Sequence, residues 1–319
     1  MFFKNIPKFF LFVILLALLS GGALYWIRSP GDEGSSTAVN DGRYSAPEVV
    51  GRLELDRIDE SSGMAASPCQ PGVLWTHNDS GDDEFIYAFA ADGRNLGIWR
   101  VEGARHIDWE DMAVTRTPEG DCYLYIGEIG NNDLERRGGI IYRVREPDVP
   151  DDSSKPDRKR RLTTDPAEAL PFVYSHGPHD AEALLVHPVT GIIYIVTKEI
   201  SRPALVYRID PRFGGGPVTA ERIATVSLPA VPNGLVTAGD ISPDGTRLIL
   251  TDYIAGYEFR IPEGDDDLKA VWQQKPAVID LGKRDQGEAV AYGPDGFAIF
   301  ATGEKRNSEI FRVLRSDPK

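Results

Sequence analysis

One short unit recurs five times along this chain, and this repeat limits the possible folds more than any other feature. Each copy places polar or acidic residues immediately before an apolar run. The copies are "ESSGMAASP" (60–68), "DWEDMAV" (108–114), "HDAEALLVHP" (179–188), "TAGDISPDG" (237–245) and "QGEAVAYGPDG" (286–296). A second apolar run follows each copy after a turn, and Pro-Asp-Gly is typical turn chemistry between strands. The repeat therefore predicts a chain built from similar β-units.

Four short strands can be traced in most units, which is typical of β-propeller blades. The last unit has only three strands, and the segment "VVGRLEL" (Val49–Leu55) is a spare strand that would supply the fourth. We therefore predict an all-β fold over residues 47–315, a five-bladed β-propeller of four-stranded blades whose ring is closed by an N-terminal strand. Six blades are the alternative. A sandwich or jelly roll would not explain the repeated acidic element.

The N-terminus predicts a membrane-associated, exported protein. Residues 1–28 contain the uncharged stretch Phe9–Ile27 behind Lys4 and Lys8. This stretch is long enough to cross a bilayer, and the lysines favour a cytoplasmic N-terminus with the propeller outside the cytoplasm. A cleaved signal peptide is the alternative, which would give a secreted or periplasmic protein. Residues 29–46 are rich in Gly, Ser and Asp and predict a flexible linker.

The net charge and the cysteines limit which binding partners and which cellular compartment suit the protein. The formal net charge of −14 excludes nucleic acid as a partner, because phosphate binding needs a basic surface. The one basic run, residues 155–161, is interpreted as a solvated loop. Cys69 and Cys122 precede strand-like runs at equivalent places in successive units. Export permits a disulfide between them, and two unpaired thiols are the alternative.

The repeated element also predicts a metal site. Alignment of the copies on their first apolar residue places Ser62, Glu110, Glu182, Gly239 and Glu288 at one position. In a propeller the first strands line the central channel, so this position would form a ring. Buried carboxylates must be protonated, paired with a cationic side chain or bound to a metal. No Lys or Arg occupies the aligned position, and oxygen ligands suit a hard cation, so we predict axial Ca²⁺. Solvated rim glutamates are the alternative.

The order of these motifs resembles the calcium-activated nucleotidase (apyrase) family. The similar segments are "ESSGM", "WEDMAV", "AEALLV", "GDISPDG" and "QGEAVAY", with "LWTHNDSG" and "LYIGEIG" as further short islands. The resemblance implies a five-bladed propeller with central Ca²⁺ and ligands at Ser62, Glu110, Glu182 and Glu288. Gly239 departs from the family, which has a hydroxyl residue there. The basic residues that hold nucleotide phosphates in that family are not matched, since Lys198 and Lys305 are the only cations placed nearby.

Further polar residues fall where the mouth of the channel is expected. Asp252, Glu128 and His179 are the candidates for a general acid or base, although loop and rim residues of this kind more often have structural roles. The loop "HNDSGDD" (77–83) could bind Ca²⁺ or form a turn held by its own side chains. Asp79 in this loop also follows a second strand and is interpreted as a rim residue.

Three functions remain open from the sequence. The main prediction is a module that binds an unknown small molecule or protein at the channel mouth, with structural Ca²⁺. The first alternative is a calcium-dependent hydrolase of phosphoanhydrides or phosphoesters, and the second is a lactonase-like or esterase-like propeller enzyme. Whether the chain is an enzyme at all stays open. The acidic mouth counts against a polyanionic substrate.

Overall fold

The computed structural model describes residues 42–150, 161–265 and 267–316. In these ranges the regular secondary structure is almost entirely β-strand, and the 3-10 helix Val271–Gln273 is the only helix. The predicted anchor, Phe9–Ile27, lies outside the described residues, as does most of the predicted linker. Within the described ranges, no helix is long and apolar enough to cross a membrane.

The described strands form five four-stranded units in chain order. A strand that precedes the repeat is β1 (Glu48–Arg52). Unit one contains β2 (Ser61–Ala66), β3 (Val73–Asn78), β4 (Phe85–Ala90) and β5 (Asn95–Arg100). Unit two contains β6 (Trp109–Arg116), β7 (Cys122–Glu128) and β8 (Gly138–Arg145), and after the short β9 (Arg161–Thr163) its fourth strand is β10 (Glu168–Tyr174). Unit three contains β11 (Ala181–Val186), β12 (Ile193–Thr197), β13 (Ala204–Ile209) and β14 (Val218–Val226). Unit four contains β15 (Ala238–Ile241), β16 (Arg247–Thr251), β17 (Ala255–Arg260) and β18 (Ala277–Asp280). Unit five contains β19 (Gly287–Tyr292), β20 (Ala298–Gly303) and β21 (Glu309–Leu314), completed by β1.

The first strands of the five units form a closed ring. β2 packs against β6, and the contacts continue through β11, β15 and β19 back to β2. The two ends of the repeat are joined by β1, which pairs antiparallel with β21 so that Val49 lies opposite Phe311. Each first strand is an inner edge of its sheet, and the closed ring protects these short edges at the axis. The predicted β-propeller fold with an N-terminal closing strand is confirmed.

Two pairings were not predicted. β9 pairs in parallel with β5, with Arg161 opposite Ile98, so the end of the basic run is a strand and not a solvated loop. Residues 151–160, which hold the rest of that run, lie outside the described residues. β10 and β14 also pair in parallel, which joins units two and three into one eight-stranded sheet. These outer-strand pairings depend on neighbours distant in sequence, so the local pattern does not show them.

The first strands are the most buried elements, and apolar layers fill the space between the units. All six residues of β2, β11 and β19 are buried. Between units one and two, Trp75 and Trp99 pack edge to face with ring centroids 5.1 Å apart. Cys69 and Cys122 form a disulfide that links units one and two, at the opposite end from the starts of the first strands. The predicted disulfide is confirmed.

Candidate functional site

A β-bulge at the start of four first strands positions the aligned residues. One extra residue enters the register between Trp109 and Asp111, and the same shift occurs between Ala181 and Ala183. β2 and β19 carry equivalent shifts around Ser62 and Glu288. A bulge leaves one residue unpaired and turns its side chain, so it re-aims side chains at functional positions. The repeated acidic element is therefore the sequence counterpart of a repeated backbone irregularity.

The structure places the predicted ring residues at the bulges, with one exception. Ser62, Glu110, Glu182 and Glu288 are all at most 4% exposed. β15 has no bulge, and Gly239 pairs regularly with Leu250. A Cβ added at Gly239 would lie 2.9 Å from the side chain of Leu185 and 2.9 Å from the backbone of Ile249. Gly239 thus departs from the other four in backbone as well as in side chain.

Two groups of three carboxylates converge on Glu110. In the first, oxygens of Asp79, Asp108 and Glu110 lie within 4.8 Å of one another. In the second, oxygens of Glu110, Asp180 and Glu182 do the same. We call these five residues the carboxylate cluster. Glu110 and Glu182 belong to the predicted ring, whereas Ser62, Gly239 and Glu288 are not members of either group. The prediction that the ring residues bind a metal stays a prediction.

Burial and mutual repulsion raise the pKa of several carboxyls in the cluster. Burial and the charge of Asp180 raise the pKa of Asp108 to about 6. Burial and Glu182 raise the pKa of Asp180 to about 7. The pKa of Glu110 is also raised, by burial first and then by Asp79 and Glu182. Burial is the largest cause of each shift, and the neighbouring carboxylates add to it.

Lys198 is the main cation at the cluster. Its Nζ lies 2.7 Å from Oε1 of Glu182 and 5.4 Å from the centre of the Tyr253 ring. Burial acts to lower the pKa of Lys198, but Glu182, Tyr253 and Glu288 outweigh it and hold that pKa above its usual value. The sequence alignment did not predict this ion pair, because Lys198 follows a second strand, not a first strand. Glu182 is therefore charge-compensated without a metal.

Asp79 has no such compensation. Its Oδ1 is buried without a hydrogen-bond partner. Burial, followed by Glu182 and Asp108, raises the pKa of its carboxyl well above the usual range. A buried carboxylate oxygen without a partner is costly, and it usually indicates a bound ion or water. The residues present thus fit a cation that binds between Asp79, Asp108 and Glu110.

Gly130 allows the backbone to approach this part of the cluster. A Cβ there would lie 2.1 Å from Oε1 of Glu110 and 2.7 Å from the Asp108 carboxyl. The backbone carbonyl of Gly130 also accepts a hydrogen bond from Arg136. Arg136 lies 3.6 Å from Asp108, so it is a second cation at the edge of the cluster.

Asp111 joins three first strands beneath the ring. Its Oδ2 accepts the N–H groups of Leu184 at 2.9 Å and Gly239 at 3.1 Å, and Oδ1 accepts that of Met112 at 2.8 Å. Its carboxyl is fully buried, and burial raises its pKa despite these bonds. Asp111 therefore connects β6 with β11 and β15, which helps to fix the relative positions of the carboxylates above it.

The three candidates for a catalytic acid or base have structural partners. Glu128 accepts the N–H groups of Ile107 at 2.8 Å and Asp108 at 3.1 Å and pairs with Arg136. It thereby supports the loop that carries Asp108. A catalytic role for Glu128 stays a prediction, and its contacts favour positioning.

Asp252 and His179 are similarly engaged. The Asp252 carboxylate accepts two backbone N–H groups, from residues 254 and 255, and the hydroxyl of Tyr257 at 2.7 Å. His179 Nε2 lies 2.6 Å from the hydroxyl of Tyr207, and burial lowers the pKa of the imidazole. Both residues are built into turns at the channel mouth, which agrees with the structural alternative for each.

Sequence reasoning missed Asp79, Asp108 and Asp180 as cluster members. A signal for two of them was present, because "DWE" and "DAE" share the spacing Asp-x-Glu and positions i and i+2 lie on one face of a strand. The alignment of the repeats included only the glutamate of each Asp-x-Glu pair. Asp79 lies in the "HNDSGDD" loop, most of which forms the predicted turn: Asp82 accepts hydrogen bonds from Asn78 at 2.9 Å, Tyr87 and Arg57.

Comparison with known proteins gives only distant structural likenesses. No family model and no curated protein matches this chain. A gluconolactonase from Xanthomonas campestris is 13% identical with a TM-score of 0.44, covering 85% of this chain and 95% of its own. The soluble aldose sugar dehydrogenase of Escherichia coli in its apo-form is 11% identical with a TM-score of 0.46, covering 85% and 99%. Hydrazine synthase of Kuenenia stuttgartiensis is 18% identical with a TM-score of 0.37, covering 77% and 56%. These comparisons do not show the nucleotidase resemblance, and likenesses this distant carry nothing about ligand or reaction.

Proposed function

We propose that this protein is a divalent-cation-dependent hydrolase of esters or lactones that are uncharged at the reacting group, with its active site at the carboxylate cluster. The observation that carries the proposal is the convergence of two carboxylate triads on Glu110, with a buried oxygen of Asp79 left without a partner. The cation that fits best is Ca²⁺, because every candidate ligand is a carboxylate oxygen and no nitrogen or sulfur ligand takes part.

The charge balance supports a bound cation. Five carboxylates face Lys198 and Arg136, and Lys198 is engaged with Glu182. Asp79, Asp108 and Glu110 would hold the cation, and Asp180 belongs to the second group that shares Glu110. A divalent ion there would relieve the repulsion that raises the pKa values of these groups. Because such an ion binds only the folded protein, it would also stabilise the fold.

The exposure of the cluster supports an open site. Glu110 and Glu182 are buried, whereas Asp79, Asp108 and Asp180 are partly exposed at the channel mouth. A cation held from below would keep positions for water and substrate above, and such open positions distinguish catalytic from purely structural metal sites. When bound, the cation would polarise a substrate carbonyl and lower the pKa of a water molecule.

The chain's own carboxylates would handle the proton. Asp180 is held by the N–H of Asn131, which lies 2.7 Å from its Oδ1. One of its oxygens lies within 4.8 Å of an oxygen of Glu110, close enough to the proposed cation to accept a proton from an attacking water. A substrate that is uncharged at its reacting group is favoured over a phosphoanhydride, because the net negative cluster repels a polyanion.

A calcium-binding module without catalysis is the second candidate, and the Lys198–Glu182 pair favours it. This pair offsets part of the charge at the axis, so the ring needs no metal at that point. A structural cation would then serve only to hold units one and two at their mouth. Export and membrane anchoring through residues 1–28 remain part of both proposals, and the Cys69–Cys122 disulfide supports an extracytoplasmic location.

Hydrolysis of an ester and lactone panel tests the proposal. The full-length protein is assayed with p-nitrophenyl acetate, D-gluconolactone and ATP, each in Ca²⁺, Mg²⁺ or EDTA. We expect turnover of an ester or lactone in Ca²⁺, loss in EDTA and no turnover of ATP. Glu110→Gln should lower kcat by about 100-fold, since one cluster ligand loses its charge. The control is Glu119→Gln, an exposed change of equal charge in the β6–β7 turn. Calcium binding without any turnover would contradict the hydrolase and leave the binding module.

A further inference from the structure

A basic cavity lies on unit five. Its volume is about 360 Å³, which is within the range of small-molecule sites. Five cationic side chains and two anionic ones contribute to its walls. They are Arg52, Lys283, Arg284, Lys305 and Arg306, with Asp285 and Glu309. This local excess of positive charge contrasts with the net charge of −14 for the chain.

Three of the five cations are paired with carboxylates. Arg52 pairs with Glu309, and Lys305 lies 3.3 Å from Asp285. Arg306 lies 3.2 Å from Asp59 at the rim. Lys283 has no ion-pair partner among the described residues and is exposed. The cavity therefore keeps positive charge that its own walls do not neutralise.

Arg284 is the most informative of the cationic residues. The residue is 9% exposed, and its Nη2 lies 3.3 Å from the Thr251 hydroxyl. Its Nε and Nη1 atoms have no hydrogen-bond partner in the described part of the chain. A Cβ at Gly287 would lie 2.4 Å from the Arg284 Cζ, so only glycine allows the guanidinium to lie there. Both nitrogens are closed off from solvent, so Arg284 would act on an anion in the cavity through its charge, on which Asp252, Asp280 and Glu288 also act.

The cavity opens at the same end of the propeller as the cluster. Gly287, at the start of β19, lies opposite Gly303, at the end of β20, so the loops before β19 and after β20 share that end. The charge of Glu288 acts on both Arg284 and Lys198, so these two cations share one carboxylate neighbour. A ligand that spans the cavity and the cluster would place an anionic group at Arg284 and its reacting carbonyl over the axis.

The rim of the cavity has a strained backbone. Lys305 and Asn307 have φ values of 81° and 58°, in the left-handed region that favours glycine. Backbone strain of this kind persists when surrounding contacts hold it, and it concentrates at ligand sites. Here it turns the loop between β20 and β21 over the cavity.

We propose that this cavity binds a compact anionic group, a carboxylate or a phosphate monoester, carried by the substrate. The assignment of the anion to the substrate rests on the hydrolase proposed above. It narrows the substrate to an ester or lactone that is uncharged at the reacting carbonyl and anionic at its other end. Such a molecule avoids the repulsion that a phosphate would meet directly over the carboxylate cluster.

Binding of inorganic phosphate and of acetate to the full-length protein tests this site. Isothermal titration is carried out in EDTA at constant ionic strength, so neither a metal nor turnover is needed. We expect the double variant Lys283→Gln/Lys305→Gln to bind about ten-fold more weakly than the parent, because two cations leave the cavity wall. The control is Lys269→Gln/Lys275→Gln, two exposed lysines outside the cavity with the same change of charge. The anion that the parent binds more tightly shows which chemical group the site accepts. The control variant should bind both anions as tightly as the parent does.

The outcomes separate this proposal from the hydrolase. If the parent binds neither anion, or if both double variants bind like the parent, the anion site is wrong, whatever the hydrolysis assays show. Phosphate or acetate binding that depends on Lys283 and Lys305 supports the site even if no ester is hydrolysed. If hydrolysis is found as well, the anionic member of a matched ester pair should have the lower KM in the parent, and the double variant should lose that difference.

Discussion

Replacement of Asp79 by Asn should raise the stability of the calcium-free protein and reduce the stabilisation that calcium provides. Without calcium, Asp79→Asn removes one of three mutually repelling carboxylates whose oxygens lie within 4.8 Å of one another. With calcium, the same change removes a charged ligand. A residue that only forms a turn would show neither effect, so the two effects together distinguish a cation site from a structural loop.

The magnitude follows from the geometry. Two unit charges 4.8 Å apart repel by about 3.5 kcal/mol at an effective dielectric constant near 20. The raised pKa of Asp79 shows that protonation already relieves part of this repulsion, so we expect a gain of about 1–2 kcal/mol in EDTA. For a domain of this size, that gain raises Tm by roughly 2–6 °C. In calcium, a ten-fold loss of affinity removes about 1.4 kcal/mol of ligand stabilisation.

Thermal unfolding of the parent and Asp79→Asn, followed in EDTA and over a calcium titration, measures both effects. Glu119→Gln provides the control, because it removes the same charge from an exposed turn at the other end of unit two. We expect Asp79→Asn to melt higher than the parent in EDTA and to gain less from calcium. If its Tm equals that of the parent in EDTA and rises equally with calcium, the reasoning about the cluster is refuted.

Three further predictions concern the ion pair, the disulfide and a buried carboxyl. Lys198→Met should destabilise the calcium-free protein by about 3 kcal/mol in chemical unfolding, because Glu182 then keeps an unpaired buried charge. The double variant Lys198→Met/Glu182→Gln should regain most of this lost stability. Reduction of the Cys69–Cys122 disulfide, which joins residues 53 positions apart, should lower the free energy of unfolding by about 4 kcal/mol. Chemical unfolding with and without reductant measures this change, and an unchanged midpoint would contradict the prediction. Burial raises the pKa of Glu146, so its contribution to stability falls as pH rises above the unfolded value near 4.5. Glu146→Gln, which keeps the bond to the indole of Trp75, should therefore exceed the parent in stability at pH 8 but not at pH 4, and parallel pH profiles would count against this.

The strand repeat could be predicted from the sequence because each strand and turn is encoded locally. Apolar runs alternate with Pro-Asp-Gly turns, and the spare strand Val49–Leu55 marks where the ring closes. The Cys69–Cys122 pairing followed from their equivalent places in successive units. The parallel pairing of β10 with β14 did not follow, because it joins the outer edges of two different units.

The aligned position of Glu110, Glu182 and Glu288 was also determined by the sequence alone, since equivalent residues of a repeat must lie at equivalent depths. Only the tertiary structure decided which groups meet there. Lys198 and Asp79 follow second strands, and their approach to the axis depends on the path of each loop over the mouth. The same holds for Arg284 at the basic cavity, where the space left by Gly287 is needed. A repeat encodes the position of a side chain within its own unit, whereas contacts between units depend on how the ring closes.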